Sequence, residues 1–387
     1  MSSIRIGDFK VVNPPYEYSQ DDLIIFLIKI FSESCWHEDC YSKPIEEYTQ
    51  IYTKLLNKLG CSDKHISKRY SFIPDFNKDK SQWKVFDGSD HLTLGGWKTR
   101  TQLFNKCASE IFDDLYKDHI NPPHNIVHVT CTSYESPSAG QITASKKGWN
   151  NTKITQVYHH GCYGAIPALR VSQGLISTAL LKNKEEATAD IIHTELHTVH
   201  ADPSRRTPDQ IVGHSLFGDG VISYKMWGTE SGYVSDERSL EIMAIDEYII
   251  PDSSELMSWS IVESGMHMVL DKHIPDSIAA NINNFVIGLY EKAGISYEKE
   301  FNNTLLAIHP GGPKILDKIR DAMNIEESRM SWSRKILYER GNLSSATVPH
   351  IWSDIINSDV KDNTIVLSLA FGPGLTAAGS IMVIRNK

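Results

Sequence analysis

The sequence lacks most of the features that would place it in a special environment. Of its 387 residues only six are cysteine, scattered as Cys35, Cys40, Cys61, Cys107, Cys131 and Cys162. That is too sparse for a disulfide framework, so reduced thiols are expected. No apolar run approaches the roughly 18 residues of a membrane span; the longest early one, LIIFLIKIF from Leu23 to Phe31, is broken by Lys29. The first residues, MSSIRIGDFK, have neither the basic start nor the apolar segment of a signal peptide, and a cytoplasmic protein without a membrane partner is expected. Repeats and low-complexity segments are missing too. Positive charge is in deficit, with 39 Lys and Arg against 48 Asp and Glu and a net charge of −9. General nucleic-acid binding needs a clustered basic surface and is excluded, although a local patch for an anionic ligand is not. One cluster, CWHEDC, offers Cys35, His37 and Cys40, but no second pair follows at zinc-finger spacing, so no metal site is expected.

What is present reads as an ordinary globular α/β protein. Hydrophobic residues make up 41% and charged residues 22%, near the averages for folded domains, and the length suits two or three domains or one large duplicated one. Beyond about residue 120, β-rich runs alternate with helical ones. HNIVHVTCTS (124–133), KITQVYHHGC (153–162), ADIIHTELHTV (189–199) and GDGVISYKMW (218–227) are strand candidates. GAIPALRVSQGLISTALLK (164–182) has helical spacing, with Pro167 early enough to be tolerated. The same grammar returns in TLLAIHPGGPKILDKIRDAM (304–323), a strand, glycine loop and helix, and in TIVLSLAFGPGLTAAGSIMVIR (364–385), two buried strands around a Gly-Pro-Gly turn. A seam near residues 232–240 divides the chain into halves of 1–235 and 236–387, which predicts a layered, pseudo-symmetric sandwich.

Three residues are candidates for chemistry. Cys162 lies between a strand and a helix; the positive end of the helix would favour a thiolate nucleophile there, while a small buried hydrophobe is the other reading. His309 ends a β-run just before a glycine turn, where its ring can project into a cavity. Asn342 stands directly before a helix that Ser344 or Ser345 is expected to cap. Histidine and asparagine together would polarise a thioester carbonyl and stabilise its enolate.

These residues sit in motifs that resemble those of type III polyketide synthases, the chalcone synthase family: GCYGAIPALRVSQGL, HPGGPKILD, RGNLSSATV and FGPGLT, in matching order. KHISKRY, TCTSYESP, TELHTVHADP and SLFGDG are similar as well, and the likeness runs over roughly residues 55–387. The resemblance implies a thiolase-type five-layered αβαβα sandwich with two pseudo-symmetric halves, a homodimer, and no metal or organic cofactor, coenzyme A or carrier-protein thioesters being substrates. It implies that Cys162 carries the acyl chain, that His309 and Asn342 stabilise the enolate of a malonyl extender, and that His309 pairs with Cys162 as imidazolium and thiolate. Phe217 matches a gatekeeper between cavity and tunnel. Thr132, Ser133, Glu195, His197 and His200 match cavity positions, and Gly372, Pro373 and Gly374 a loop that scaffolds the cavity wall. Lys58, Lys64 and Arg69 fall where the coenzyme A entrance is expected, as a basic patch for its phosphates.

The sequence also departs from the plant pattern. Met268 stands where a second gatekeeper phenylalanine is expected, so the mouth should admit longer chains. His197 and His200 replace small cavity residues, and Ser136, with Glu135 beside it, falls where the family reaches across the dimer. The histidine-rich segments look more like stand-alone bacterial ketosynthases that release α-pyrones. The expected reaction is a Claisen condensation of a Cys162-bound acyl chain with a malonyl or β-ketoacyl thioester and release by lactonisation or cyclisation. The alternative is a ketoacyl-synthase-III-like single condensation with an acyl-carrier protein. A papain-like hydrolase also uses cysteine, histidine and asparagine, but its cysteine lies near the mature N-terminus in a different signature. A non-catalytic protein on the same fold would have no use for all three.

Overall fold

Residues 365–372, IVLSLAFG, carry apolar side chains on both faces, Leu367, Leu369 and Phe371 entering one core and Val366 and Ala370 another. A strand reads this way when helices cover both sides of its sheet. The computed structural model describes residues 3–76, 83–85 and 96–386, and within them this two-sided burial organises the whole molecule. In chain order the strands are β1 (Ile4–Val12), β2 (Tyr16–Ser19), β3 (Lys68–Ser71), β4 (Asn125–Thr130), β5 (Lys153–Tyr158), β6 (Thr188–Glu195), β7 (Gly220–Gly228), β8 (Ser239–Ile249), β9 (Met257–Val262), β10 (Gly265–Leu270), β11 (Leu305–Ile308), β12 (Ile365–Gly372) and β13 (Thr376–Arg385). The helices are α1 (Gln20–Glu38), α2 (Ile45–Leu59), α3 (Trp97–Leu115), α4 (Ala139–Lys147), α5 (Ala165–Lys182), α6 (Pro208–Leu216), α7 (Ile274–Ala293), α8 (Tyr297–Glu300), α9 (Pro313–Ala322), α10 (Ser331–Arg340) and α11 (Thr347–Ile356).

Nine strands form one hydrogen-bonded sheet in the order β11-β12-β13-β8-β1-β7-β6-β4-β5. At either end the strands run parallel, β5 with β4 and β4 with β6, β11 with β12; towards the middle they are antiparallel. β1 joins the two sides, Ile6 pairing with Met226 of β7 and with Leu240 of β8. Three cores separate the layers. α3 and α4 cover the outer face of β4, β6 and β7, and α7 and α9 cover the outer face of β8 and β11 to β13. α5 and α11 fill the space between the two sides, packed on strands of both. The result is the five-layered thiolase-type αβαβα arrangement.

Two local expectations change. The strand predicted over 189–199 ends at Glu195, and His197–His200 form a short 3-10 turn. The cause is tertiary: the Leu196 N–H donates to Thr132 Oγ1 at 3.0 Å, and Thr198 donates through its N–H and hydroxyl to Asp219, at 2.9 and 2.6 Å. These bonds draw the chain away from the ladder. Nor do Ser344 and Ser345 cap α11, whose N-cap is Ala346 with no side-chain bond. Both hydroxyls are engaged in the site instead. No helix among the described residues is long and apolar enough to cross a membrane.

Candidate active site

Ligand crevices in parallel α/β sheets open at the carboxyl ends of the strands, where the chain turns from sheet to helix. The predicted residues gather there. Cys131, Thr132 and Ser133 follow β4, Cys162 follows β5, Glu195 ends β6 with His197 just beyond, and His309 follows β11. Asn342 comes two residues after α10 and is held by backbone bonds to the Phe217 segment, its N–H donating to Leu216 O at 3.0 Å and its carbonyl accepting from Gly218 N–H at 3.0 Å. Gly341 makes this approach possible: its φ is +74°, and a Cβ there would lie 2.8 Å from Leu216 O.

Cys162 occupies a 3-10 turn, Gly161–Tyr163, that leads into α5. The Gly-Pro-Gly loop between β12 and β13 packs against this turn, and a Cβ on Gly161 (φ +64°) would meet Pro373 Cδ at 2.7 Å, one on Gly372 Tyr163 Cδ1 at 2.3 Å. Gly372 and Pro373 thus brace the turn that carries Cys162, and Gly374 (φ +116°) returns the loop towards β13. Cys162 is partly accessible, yet burial pushes its thiol up to about 12, while hydrogen bonds from the Ser344 and Asn342 side chains pull the other way. The orientation of Asn342 follows from one bond. Its Oδ1 accepts the Ser344 N–H at 2.8 Å, which leaves the amide N–H groups free as donors.

His309 is 1% exposed, its backbone N–H held by Leu369 O at 2.7 Å. Neither ring nitrogen has a hydrogen-bond partner, and burial takes the imidazole down to about 3. The expected imidazolium–thiolate pair is therefore not the resting arrangement: no hydrogen bond joins the two side chains, and desolvation drives both groups to their neutral forms.

Glu195 is fully buried. Burial raises its carboxyl to about 7 against several hydrogen bonds that oppose the shift. It accepts from the Ser345 hydroxyl, from the Cys131 N–H at 3.0 Å, and from the Cys131 thiol and Thr132 hydroxyl, both at 3.3 Å. Ser344 Oγ lies 3.0 Å from Cys131 Sγ, so a continuous polar network runs from Ser344 through Cys131 to Glu195. Sequence reasoning missed Cys131, Ser344 and Ser345. The two serines were visible in GNLSSA but read locally as caps, and nothing in the sequence pointed to Cys131.

A narrow cavity of about 60 Å³ adjoins this network, its walls including Phe217, Met268, His197, His200 and Trp259. Phe217 stacks on His197 with ring centroids 4.5 Å apart. Met268 on β10 pairs with Trp259 on β9, and its carbonyl accepts from Gln210 at 2.7 Å. His200 Nε2 bonds to Thr132 O at 2.6 Å, while Ser133 Oγ is buried without a partner.

The basic patch is smaller than expected. Lys58 and Lys64 are exposed, but Arg69 is 3% exposed and donates to the carbonyls of His214 and Phe217 at 2.8 and 2.7 Å. Burial closes it to a phosphate at the surface, and it instead braces the Phe217 segment. Cys35 and His37 fall on α1 with Cys40 in the turn beyond, His37 Nδ1 bonding to Tyr41 OH at 2.8 Å.

The comparisons decide the family. Residues 101–228 match the N-terminal domain of chalcone and stilbene synthases, and residues 241–386 the C-terminal domain. The chain belongs to the chalcone and stilbene synthase family. Type III polyketide synthase B of Arabidopsis thaliana is 27% identical to it over 84% of this chain and 87% of the relative, and type III polyketide synthase A over 86% and 87%, also at 27%. Two solved structures share the fold. One is the C-terminal type III polyketide synthase domain of Steely1, a type I/III hybrid from Dictyostelium, with a TM-score of 0.80, 20% identity and 99% coverage of both chains. The other is PKS-I from the brown alga Ectocarpus siliculosus, with a TM-score of 0.82, 18% identity, and coverage of 100% of this chain and 99% of that one. This type III polyketide synthase is an acyltransferase of the condensing kind, whose reaction is a Claisen condensation.

Proposed function

We propose that Cys162 takes an acyl chain from a coenzyme A thioester, extends it with malonyl or β-ketoacyl units, and gives it up by lactonisation to an α-pyrone or related ring. The observation that carries this reading is the fixed orientation of Asn342. With its Oδ1 tied to the Ser344 N–H, its amide donors are left free and act to lower the Cys162 thiol, on which the carbonyl oxygen of a thioester would meet them. His309 supplies a second donor. A neutral imidazole donates a hydrogen bond to an enolate oxygen at no cost in reprotonation, which suits a group that burial keeps uncharged.

In loading, the Cys162 thiol gives its proton to His309 as the sulfur attacks the incoming thioester, and His309 passes that proton to coenzyme A as it leaves as a thiol, which returns the imidazole to neutral. In extension, carbon dioxide departs from the malonyl thioester, the enolate held by His309 and Asn342 attacks the Cys162-bound carbonyl, and the Cys162 thiolate is released and takes up a proton; the extended chain, now on coenzyme A, is loaded back onto Cys162 for the next round. Lactonisation then needs only an enol oxygen of the chain itself, so the cavity has no need to position water. Phe217 and Met268 form the passage, and Met268, thinner and more adaptable than phenylalanine, opens it to long aliphatic chains. Lys58 and Lys64 meet the phosphates of coenzyme A at the entrance. The enzyme works as a homodimer joined near Tyr134, which is 63% exposed, and Glu135, whose buried Oε2 has no partner.

Incubation with a panel of acyl and malonyl coenzyme A thioesters, followed by mass spectrometry, tests the reading. Tri- and tetraketide pyrones and an acyl adduct on Cys162 are expected. Products of a single condensation, or a requirement for a carrier protein, would contradict it.

A further inference from the structure

Cys131, Glu195 and His197 present a thiol, a carboxylate and an imidazole whose donor atoms all lie within 4.8 Å of one another, and all three side chains are buried. Cys131 Sγ and Glu195 Oε2 are 3.3 Å apart. A sulfur at about 2.3 Å and an oxygen at about 2.0 Å from a tetrahedral ion stand about 3.5 Å from each other, so this pair is already at ligand spacing. An independent observation concerns the histidine. His197 Nε2 is buried with no hydrogen-bond partner, although the ring is fixed by stacking on Phe217. A buried ring nitrogen that no protein group satisfies is costly to leave unpaired.

We propose that Cys131, Glu195 and His197 form a site for a divalent cation of the zinc class, and that the bound ion inhibits the enzyme. The donor set selects the ion. Thiolate and imidazole suit zinc and its neighbours, whereas magnesium and calcium take oxygen ligands. The carboxylate is held in place by Ser345 and the Cys131 N–H, the kind of outer contact that orients ligands in metal sites. On binding, the Cys131 thiol gives its proton to solvent and the ion takes the sulfur as thiolate. Ser344 Oγ, 3.0 Å from Cys131 Sγ, is the polar group beside the thiol from which a fourth ligand would come. Ser344 also acts against the effect of burial on the Cys162 thiol, so an ion that recruits Ser344 takes that support from Cys162. The site needs only its donor atoms and does not depend on the condensation.

Titration of the purified protein with Co²⁺, followed by competition with Zn²⁺, reads the site by absorbance. The wild type should bind one equivalent and show a thiolate-to-cobalt charge-transfer band in the near ultraviolet that Zn²⁺ abolishes. Cys162→Ser should keep the band and Cys131→Ser should lose it. His197→Ala should keep it but bind at least about tenfold more weakly, since loss of a ligand costs no less than loss of an outer contact; this variant decides the matter if Cys131→Ser does not fold. No band in the wild type, a band that follows Cys162 instead of Cys131, or unchanged affinity in His197→Ala would overturn the site. Product analysis stands apart from all three outcomes, so failure here leaves the polyketide reading untouched, and the reverse holds.

Discussion

Glu195 and His309 are both buried and ionisable, and both stand at carboxyl ends of strands, yet their surroundings differ. Around Glu195 the protein supplies partners: the Ser345 hydroxyl, the Cys131 N–H and thiol, and the Thr132 hydroxyl. Around His309 it supplies none, and both ring nitrogens are orphaned. Burial shifts each towards neutrality, the carboxyl to about 7 and the imidazole to about 3. A satisfied buried group ties segments together, whereas an unsatisfied one costs about 1–3 kcal/mol and waits for a partner from outside. On the proposed reading, Glu195 belongs to the frame, fastening the turns after β4 and before α11, and His309 is the group left to serve the substrate.

The largest effect that sharpens this division is at Cys162. Cys162→Ala should abolish the covalent acyl adduct in intact-protein mass spectrometry; an equal adduct on the variant would move the nucleophile elsewhere. Next comes Asn342, whose free donors act on the same thiol. Asn342→Ala should load nearly normally yet condense on the order of 10²-fold more slowly, as loss of one oxyanion donor does. A loading defect as large as the condensation defect would place Asn342 in the first step.

Burial of histidine on both sides of this division should show as weakness in acid. His128, His197, His200, His309 and His350 are all held down at about 3 by burial, from an ordinary 6.5. Protons bind the unfolded chain first, so their stabilising contribution is complete above pH 6.5 and is lost as the pH falls, each histidine costing up to about 1.4 kcal/mol per pH unit. Glu195 and Asp219, raised to about 7 and about 6, act in the opposite direction, but two carboxyls do not offset five histidines. Thermal unfolding should show Tm falling between pH 6.5 and 5; a flat profile would mean that water reaches these rings. The smallest effect concerns the passage. Met268→Phe should penalise long acyl thioesters against short ones by about 1–3 kcal/mol in kcat/KM, the range of hydrophobic pockets, and an unchanged ratio in competition assays would remove Met268 from the chain's route.

Much of this site is legible in the sequence because local order carries it. A strand running towards Cys162 and a helix just beyond it follow from apolar spacing alone, although the strand stops at Tyr158, short of the predicted end at Cys162. The placing of His309 between a β-run and a glycine turn follows in the same way. What the sequence conceals is set by distant partners. Ser344 and Ser345 look like caps because serine before a helix usually is one, but Glu195, 150 positions away, takes the Ser345 hydroxyl. HTELHTV continues its alternation past Glu195, and only Thr132 and Asp219 break it. Arg69 looks like a surface cation, since charge gives no sign of burial. The place of β1 between β7 and β8 is equally invisible in IRIGDFKVV, which has the pattern of a strand but no clue to its neighbours.

The division between frame and substrate group is tested most directly by comparing His309→Ala with Ser345→Ala, each measured for Tm and for condensation by enzyme already acylated on Cys162. Ser345→Ala should lower Tm, its loss leaving Glu195 and His193 each short of a bond at a cost of about 1–3 kcal/mol, with the larger part of condensation retained. His309→Ala should lower Tm less while slowing condensation on the order of 10²-fold or more. If His309→Ala destabilises the fold as much as Ser345→Ala and still condenses at close to the wild-type rate, His309 is part of the frame and the account is wrong.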